Sequence, residues 1–293
     1  MNCKNKEIAA IILHYKTDEE TIRCIKSLYQ QVDKIIIVDN SGDSSNLVNS
    51  IDSIFFNILN VDISLIEIVT PKTNLGFGRG MQYGIDLILK IQKYRAILLI
   101  NNDAVASHNM IECMLPQLKK YNELALITPK MTEKSTPSLL WYHRIFALVL
   151  QQPNFGAFPY LSGACLLIPV SLLTTIKPFF DPDFFMYGED VELSWRLKQI
   201  GIPLVIADAN CSHTGSVSSH EGSLFYEYHV TKGHLLLTKK LARNYLDMGM
   251  LLIGRLISLP LRATLRCIKY KNLVAWHALV LILLGKSPIQ PNL

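Results

Sequence analysis

Short, nearly continuous apolar runs rich in β-branched residues, at 8–13, 35–38, 63–69, 96–100 and 124–128, alternate with stretches of helical periodicity along the first half of the chain. The segments between them, 18–30, 44–54, 80–93 and 109–121, read as helices or part-helical connections. Strands that are apolar on both faces must be covered on both. The alternation therefore predicts an α/β domain built on a doubly wound, mostly parallel sheet. Past residue 130 the pattern loosens into a Pro- and aromatic-containing stretch. It resumes with an apolar run at 161–168, an aromatic and acidic segment at 179–192, a helix to 200 and a short strand at 204–207. Residues 1–225 read as one domain and 226–293 as a C-terminal amphipathic helical appendage.

Ligands of such sheets collect at the carboxyl ends of the strands, so the residues just after each run carry the information. They are His14-Tyr15-Lys16, Asp39-Asn40-Ser41, Asn74-Leu75-Gly76 and Asn101-Asn102-Asp103, all polar. Asp39 accepts hydrogen bonds from a nucleobase or ribose over the sheet edge, or else opens an ordinary turn before Ser41-Gly42. Asp103 suits a Mg2+ or Mn2+ carried by a diphosphate, which needs only one or two protein carboxylates, with Asn101 contributing its amide oxygen; a strand-ending turn is the alternative. The glycines at 76, 78 and 80 do not make a dinucleotide fingerprint, because Met81 stands where the third glycine belongs. They let backbone pass close to a bound ligand, with Arg79 available to a phosphate.

Glu189, Asp190 and Glu192 crowd the first turn of a helix behind Phe184-Phe185-Met186-Tyr187. Acids there favour the helix dipole, yet three exceed what a cap requires, and a carboxylate aimed into an aromatic-walled pocket is well placed as a general base. His213 follows a strand among small residues, and an imidazole beside carboxylate oxygens is compatible with Mn2+. Six cysteines, at 3, 24, 113, 165, 211 and 267, show no metal or disulfide spacing and read as reduced thiols in the cytosol.

Charge is divided unevenly. Residues 231–293 hold ten Lys or Arg against Asp247 alone, while the first 230 residues hold nineteen bases and twenty-three acids. A basic, apolar tail on an acidic body points to an anionic membrane surface and away from nucleic acid. The early charged residues exclude a secretory signal peptide, so the expectation is a cytoplasmic protein, peripheral on the inner face of the cell membrane. On a helical wheel Arg255, Arg262, Arg266 and Lys269 form one stripe opposite Leu246, Met250, Ile253, Ile257, Leu261, Leu265 and Ile268. Either the basic stripe meets lipid headgroups, or the leucine side packs on the domain beneath a solvated basic face.

Taken in order, Ile12-Leu13-His14-Tyr15-Lys16, Ile37-Val38-Asp39-Asn40-Ser41, Asn74-Leu75-Gly76-Phe77-Gly78, Leu99-Ile100-Asn101-Asn102-Asp103, Ser162-Gly163-Ala164 and the segment from Phe184 through Arg196 resemble the inverting family 2 glycosyltransferases of the GT-A fold. The likeness is greatest to their bacterial rhamnosyltransferase-like branch and covers about residues 7–240. It implies that Asp39 contacts a donor nucleotide, in a donor-binding set with His14, Asn74, Gly76, Arg79, Asn101 and Asn102. Asp103 and His213 would hold a divalent ion, Mn2+ or Mg2+, with Asn101 standing in place of the first acid of the family's metal motif. Asp190, paired with Glu189, would deprotonate the acceptor hydroxyl.

The implied reaction is a single displacement from a nucleotide-diphosphate sugar, dTDP-L-rhamnose first. The implied acceptor is a polyprenyl-diphosphate-linked saccharide, as in O-antigen or capsule polysaccharide assembly. A galactofuranosyl or other hexosyl donor is the second choice, and a catalytically silent nucleotide-binding membrane scaffold the non-enzymatic one. A sugar nucleotidyltransferase would need a glycine-rich basic loop after the first strand, where residues 14–20 contain no glycine.

Overall fold

A computed structural model describes residues 7–59, 61–91, 93–133, 137–213 and 220–288. Cys3, Thr214, Gly215 and the last five residues of the appendage lie outside the described residues; the five described cysteines are all free thiols.

The first half alternates as its pattern predicts: β1 (Ile8–His14), α1 (Asp18–Leu28), β2 (Lys34–Asp39), α2 (Ser45–Ile51), β3 (Ile66–Val69), α3 (Gly76–Ile91), β4 (Ala96–Asn101), β5 (Ala104–Ala106), α4 (Met110–Lys120) and β6 (Leu126–Met131). β3 starts three residues later than its apolar run, because Asp62 accepts from the Ser64 N–H and coils 63–65 into a 3-10 turn. Further on come β7 (Leu139–His143), β8 (Leu148–Leu150), β9 (Ala157–Leu161), β10 (Cys165–Pro169), α5 (Val170–Thr175), α6 (Glu189–Gln199) and β11 (Leu204–His213). β11 is ten residues long where four were expected, so His213 ends a strand rather than following one. The chain closes with α7 (Leu224–Lys240), α8 (Tyr245–Tyr270) and α9 (Val274–Leu283).

Eight strands form one mixed, mostly parallel sheet in the order β3-β2-β1-β4-β10-β6-β11-β5, a GT-A fold, with β10 antiparallel to both its neighbours and β5 antiparallel to β11. β1 shows why both faces are covered. Ile8, Ala10 and Ile12 pack with Ile22, Ile25 and Leu28 of α1 on one face, while Ala9 and Ile11 pack with Met81, Ile85 and Ile88 of α3 on the other. Each of these isoleucines, leucines and methionines, fully buried, contributes about 1.5–3 kcal/mol. A second antiparallel sheet, β8-β7-β9, shares an aromatic core of Tyr142, Phe158 and Trp195 with Leu237, Leu241 and Leu251 of α7 and α8.

The appendage is helical, as expected, but its faces are turned opposite to both sequence readings. Arg255 is 1% exposed, donating from Nε to the His234 carbonyl at 3.0 Å and from Nη1 to the Arg144 and Ile145 carbonyls at 2.6 and 3.1 Å. Arg262 and Arg266 pair with the buried Glu227 of α7. The arginine stripe is therefore the packed face, and the leucine side of α8 faces outward. A helical wheel separates two faces; which one turns inward was decided by carbonyls and a carboxylate far away in sequence.

Candidate active site

Parallel register brings the strand ends together, His14 opposite Asp39 across β1 and β2, and Leu13 opposite Asn101 across β1 and β4. Asp39 uses its two oxygens differently. Oδ1 closes a turn, accepting from the Ser41 N–H at 2.8 Å and its hydroxyl at 2.6 Å, while Oδ2 is buried without a hydrogen-bond partner. A buried carboxylate oxygen left open at a strand end is an acceptor available to a ligand.

His14 and Asn102 are turned to the protein instead. The His14 ring lies 2.8 Å from the Thr21 hydroxyl through Nδ1 and 3.3 Å from Asp18 through Nε2; burial lowers its proton affinity, and Asp39 and Asp18 partly restore it. The Asn102 amide donates to the hydroxyls of Thr17 and Thr21. Both side chains anchor the start of α1 to the sheet, a correction to their expected place on the donor.

The glycine segment needs a second correction. α3 begins at Gly76, four residues before its predicted start, with the Gly76 N–H held at 2.8 Å by Asn74 Oδ1, so Asn74 acts as a helix cap. Gly76 has φ +74°, and an added Cβ would overlap the Phe185 carbonyl oxygen. Gly80 and Gly84, each one turn further, press on Leu13 and on Ile11. The bare glycine faces thus meet protein, letting α3 sit close to the sheet. Asn40, which the sequence reading passed over, clamps this corner: its amide donates to the Gly76 carbonyl at 2.9 Å and its Oδ1 accepts from the Leu75 N–H at 3.3 Å. Arg79 lines a cleft of about 710 Å³ together with Phe185, Phe225, Tyr228, His229 and Lys232.

Asp103 and His213 do come together. β5 pairs antiparallel with the end of β11, placing His213 opposite Ala104 and hence beside Asp103, with Nε2 and Oδ1 3.1 Å apart. Asn101 Nδ2 approaches the same imidazole nitrogen at 3.2 Å, and Asn101 Oδ1 is buried without a partner. One Nε2 cannot both donate to Asp103 and accept from Asn101. That competition disappears if a cation stands among them with the amide turned to present its oxygen. Glu133 holds the His213 backbone N–H at 2.8 Å, a support with no sequence signal. Among the described residues no three His, Cys, Asp or Glu cluster as a metal site; the donor set is a carboxylate, an imidazole and an amide oxygen. Such a set fits a hard divalent ion whose other positions go to diphosphate and water.

The three acids of α6 separate by partner. Glu192 is bound to Arg196 Nε at 2.7 and 3.0 Å, a structural pair. Asp190, half-buried, accepts from the Val191 N–H at 2.8 Å and from the Gly163 N–H. Burial raises the proton affinity of Asp190 well above the usual carboxylate range, against the pull of those N–H groups. Glu189, buried with Oε2 unpartnered, is raised by burial and then by the Asp190 charge. Two facing acids of raised affinity share protons unequally, which leaves one ionised as a base near neutral pH.

A stability consequence follows from Glu189. Because its folded-state affinity exceeds the unfolded one, the native state binds more protons, and stability falls as pH rises from the ordinary glutamate range, about 4.3, through neutrality. Glu189→Gln should therefore melt higher than the parent at pH 8, by roughly 2–4 °C for each kcal/mol regained, with the gap closing towards pH 4. Equal melting curves at pH 8 would show that Glu189 carries no such burden.

The model of glycosyl transferase family 2 matches residues 9–176. Among solved structures, GalNAc-T7 with UDP, GalNAc and Mn2+ superposes with a TM-score of 0.61 at 12% identity over 77% of this chain, which spans 47% of that protein. The mannosyltransferase PcManGT from Pyrobaculum calidifontis with GDP-Man and Mn2+ gives 0.56 at 12% identity, covering 96% of this chain and 88% of that one. S. aureus TarS 1-349 with UDP-GlcNAc gives 0.53 at 14% identity, over 90% and 73%. No curated protein sequence matches. With the matched segment running from β1 into α5, over more than half of its length, the chain belongs to glycosyl transferase family 2.

Proposed function

We propose that this protein transfers a sugar, with inversion, from a nucleotide-diphosphate donor to a hydroxyl of a lipid-linked saccharide at the cytoplasmic face of the cell membrane. The observation that carries the reading is the placement of Asp190, a carboxylate of raised proton affinity, on the helix behind Phe184 and Phe185, with the Asp103–His213 pair at the neighbouring strand ends. Asp190 takes the acceptor proton, so no covalent nucleophile is needed. The free Asp39 oxygen accepts from the nucleoside. Asp103, His213 and the Asn101 amide oxygen are the residues that would hold Mn2+ or Mg2+; the ion supplies positive charge to the leaving diphosphate. Arg79 and Lys232 in the aromatic cleft suit the phosphates of a polyprenyl-diphosphate acceptor, with Phe185, Phe225 and Tyr228 as stacking surfaces for its sugar.

L-Rhamnose from dTDP-L-rhamnose is the first donor reading, supported by the ordered motifs of the rhamnosyltransferase-like branch. A hexosyl donor is the second, favoured by the GDP-Man and UDP-GlcNAc bound in two structural neighbours. Hydrolysis of a panel of dTDP-, UDP- and GDP-sugars with Mn2+ separates them. Asp103→Ala and His213→Ala should each weaken donor binding by about tenfold or more by calorimetry with Mn2+, and differ little from the parent in excess chelator. Full activity in chelator removes the metal from the reaction, and a chain that hydrolyses no donor is the silent scaffold.

A further inference from the structure

The outward face of α8 is unusual for a surface helix. From Tyr245 to Ile268 it exposes Leu246, Met250, Leu252, Ile253, Leu256, Ile257, Leu261, Leu265 and Ile268, with Leu246 at 84%, Ile257 at 61% and Ile268 at 69%. No charged side chain interrupts it, because Asp247, Arg255, Arg262 and Arg266 all turn to the protein. At 1.5 Å per residue this stripe is about 36 Å long. α9 extends it with Leu273, Val280, Leu283 and Leu284, and the β7–β8 hairpin adds Leu148 and Val149, which share a small cavity with Leu259. Contiguous apolar surface on this scale marks an interaction site.

α8 is also long and apolar enough, by length and composition, to cross a membrane. Its inner face argues against crossing. An added Cβ at Gly254 would overlap the Ile145 carbonyl oxygen, Arg255 is seated on three backbone carbonyls of other elements, and Arg262 and Arg266 grip Glu227. A helix clasped along one side by the catalytic body lies flat on it.

We infer that this face is a membrane-docking surface that sinks into the interface of one leaflet by its apolar side chains, while the arginines fasten the helix to the enzyme. Charge supports a bilayer as the occupant. The stripe is neutral along its length and ends beside the exposed Lys271, which meets lipid phosphates at the headgroup level. Continuity supports it as well: Ser287 and Pro288, just past α9, line the cleft that holds Arg79 and Lys232, so the proposed acceptor cleft opens beside the docking face. The inference rests on the lipid-linked acceptor for its purpose, not for its geometry.

The test is co-sedimentation of the full chain with phosphatidylcholine vesicles containing phosphatidylglycerol, with and without 1 M salt, alongside donor hydrolysis in solution. Apolar insertion is not screened, so the parent should stay bound at 1 M salt, where the Debye length is about 3 Å. Replacing Ile253, Leu256, Ile257 and Leu261 together by Gln should lower vesicle partitioning at least tenfold and leave donor hydrolysis unchanged, because these side chains touch neither cleft nor core. Unchanged partitioning of that variant overturns the inference, as does parent binding that vanishes in salt. A lipid-free dimer that the four substitutions split would assign the face to a second copy of the chain and overturn it too. Loss of vesicle binding with no hydrolysis in either protein would sustain docking and remove the proposed activity.

Discussion

Asp190→Asn should lower the transfer rate by roughly 10²- to 10⁴-fold while leaving donor affinity within about twofold. The substitution keeps the shape and one acceptor oxygen, which can remain on the Val191 N–H. What it removes is the group that can take a proton from the acceptor hydroxyl. Initial rates with donor and acceptor both saturating report the loss, and donor affinity by calorimetry shows that the site is intact. A folded variant with wild-type turnover would remove Asp190 from the reaction. Glu192→Gln is the contrast: its carboxylate is occupied by Arg196, so its effect should appear in melting temperature before rate.

The second large effect lies far from the chemistry. Glu227→Ala should cost about 3–5 kcal/mol of unfolding free energy, because it leaves the poorly exposed guanidinium groups of Arg262 and Arg266 without their shared carboxylate. Glu227 is itself 1% exposed, and water cannot replace it without opening α7 from α8. Urea titration monitored by circular dichroism measures the loss. A change below about 1 kcal/mol would mean that the arginines find other partners, such as the Tyr226 and Tyr270 rings that flank Arg266. Replacing Glu227, Arg262 and Arg266 together by apolar residues of similar volume should recover much of the loss, since a removed ion triad leaves no buried charge behind.

The parallel half of the sheet was legible because each strand is short, apolar on both faces and bounded by polar turns. The second sheet was not: its strands of three to five residues carry mixed burial, and the connection between two of them holds Pro153 and Asn154. At the candidate site, the sequence reading proposed Asp39, Asp103 and His213 from their places at strand ends and Asp190 from its place at a helix start behind an aromatic run, and the fold brings Asp103 and His213 within 3.1 Å of each other. That reading could not tell that His14 and Asn102 are engaged by Thr17 and Thr21, since that depends on where α1 starts relative to the strand end. Asn40 carried only the signal of its place beside Asp39, because its clamp on Gly76 and Leu75 is made across more than thirty residues of sequence. The orientation of α8 depended on Glu227, more than thirty residues away, which no wheel contains.

One feature of the sheet sets a limit on how such a site can change. β10 runs against its neighbours, so the loop that opens it arrives at the edge where β4 ends. There Ala164 gives its carbonyl to the Asn101 N–H at 2.9 Å, and Gly163 gives its own N–H to Asp190. Adjacent residues are about 3.8 Å apart between Cα atoms, so a single peptide step acts as a ruler between the end of β4, where the donor diphosphate is proposed to lie, and Asp190, the proposed base. A descendant enzyme selected for a larger acceptor cannot lengthen that ruler by a fraction; it can only insert a residue and lose one of the two bonds. New acceptors are more readily accommodated by recarving the wall of the proposed acceptor cleft, formed by Phe185, Phe225, Tyr228 and His229, than by changing that step.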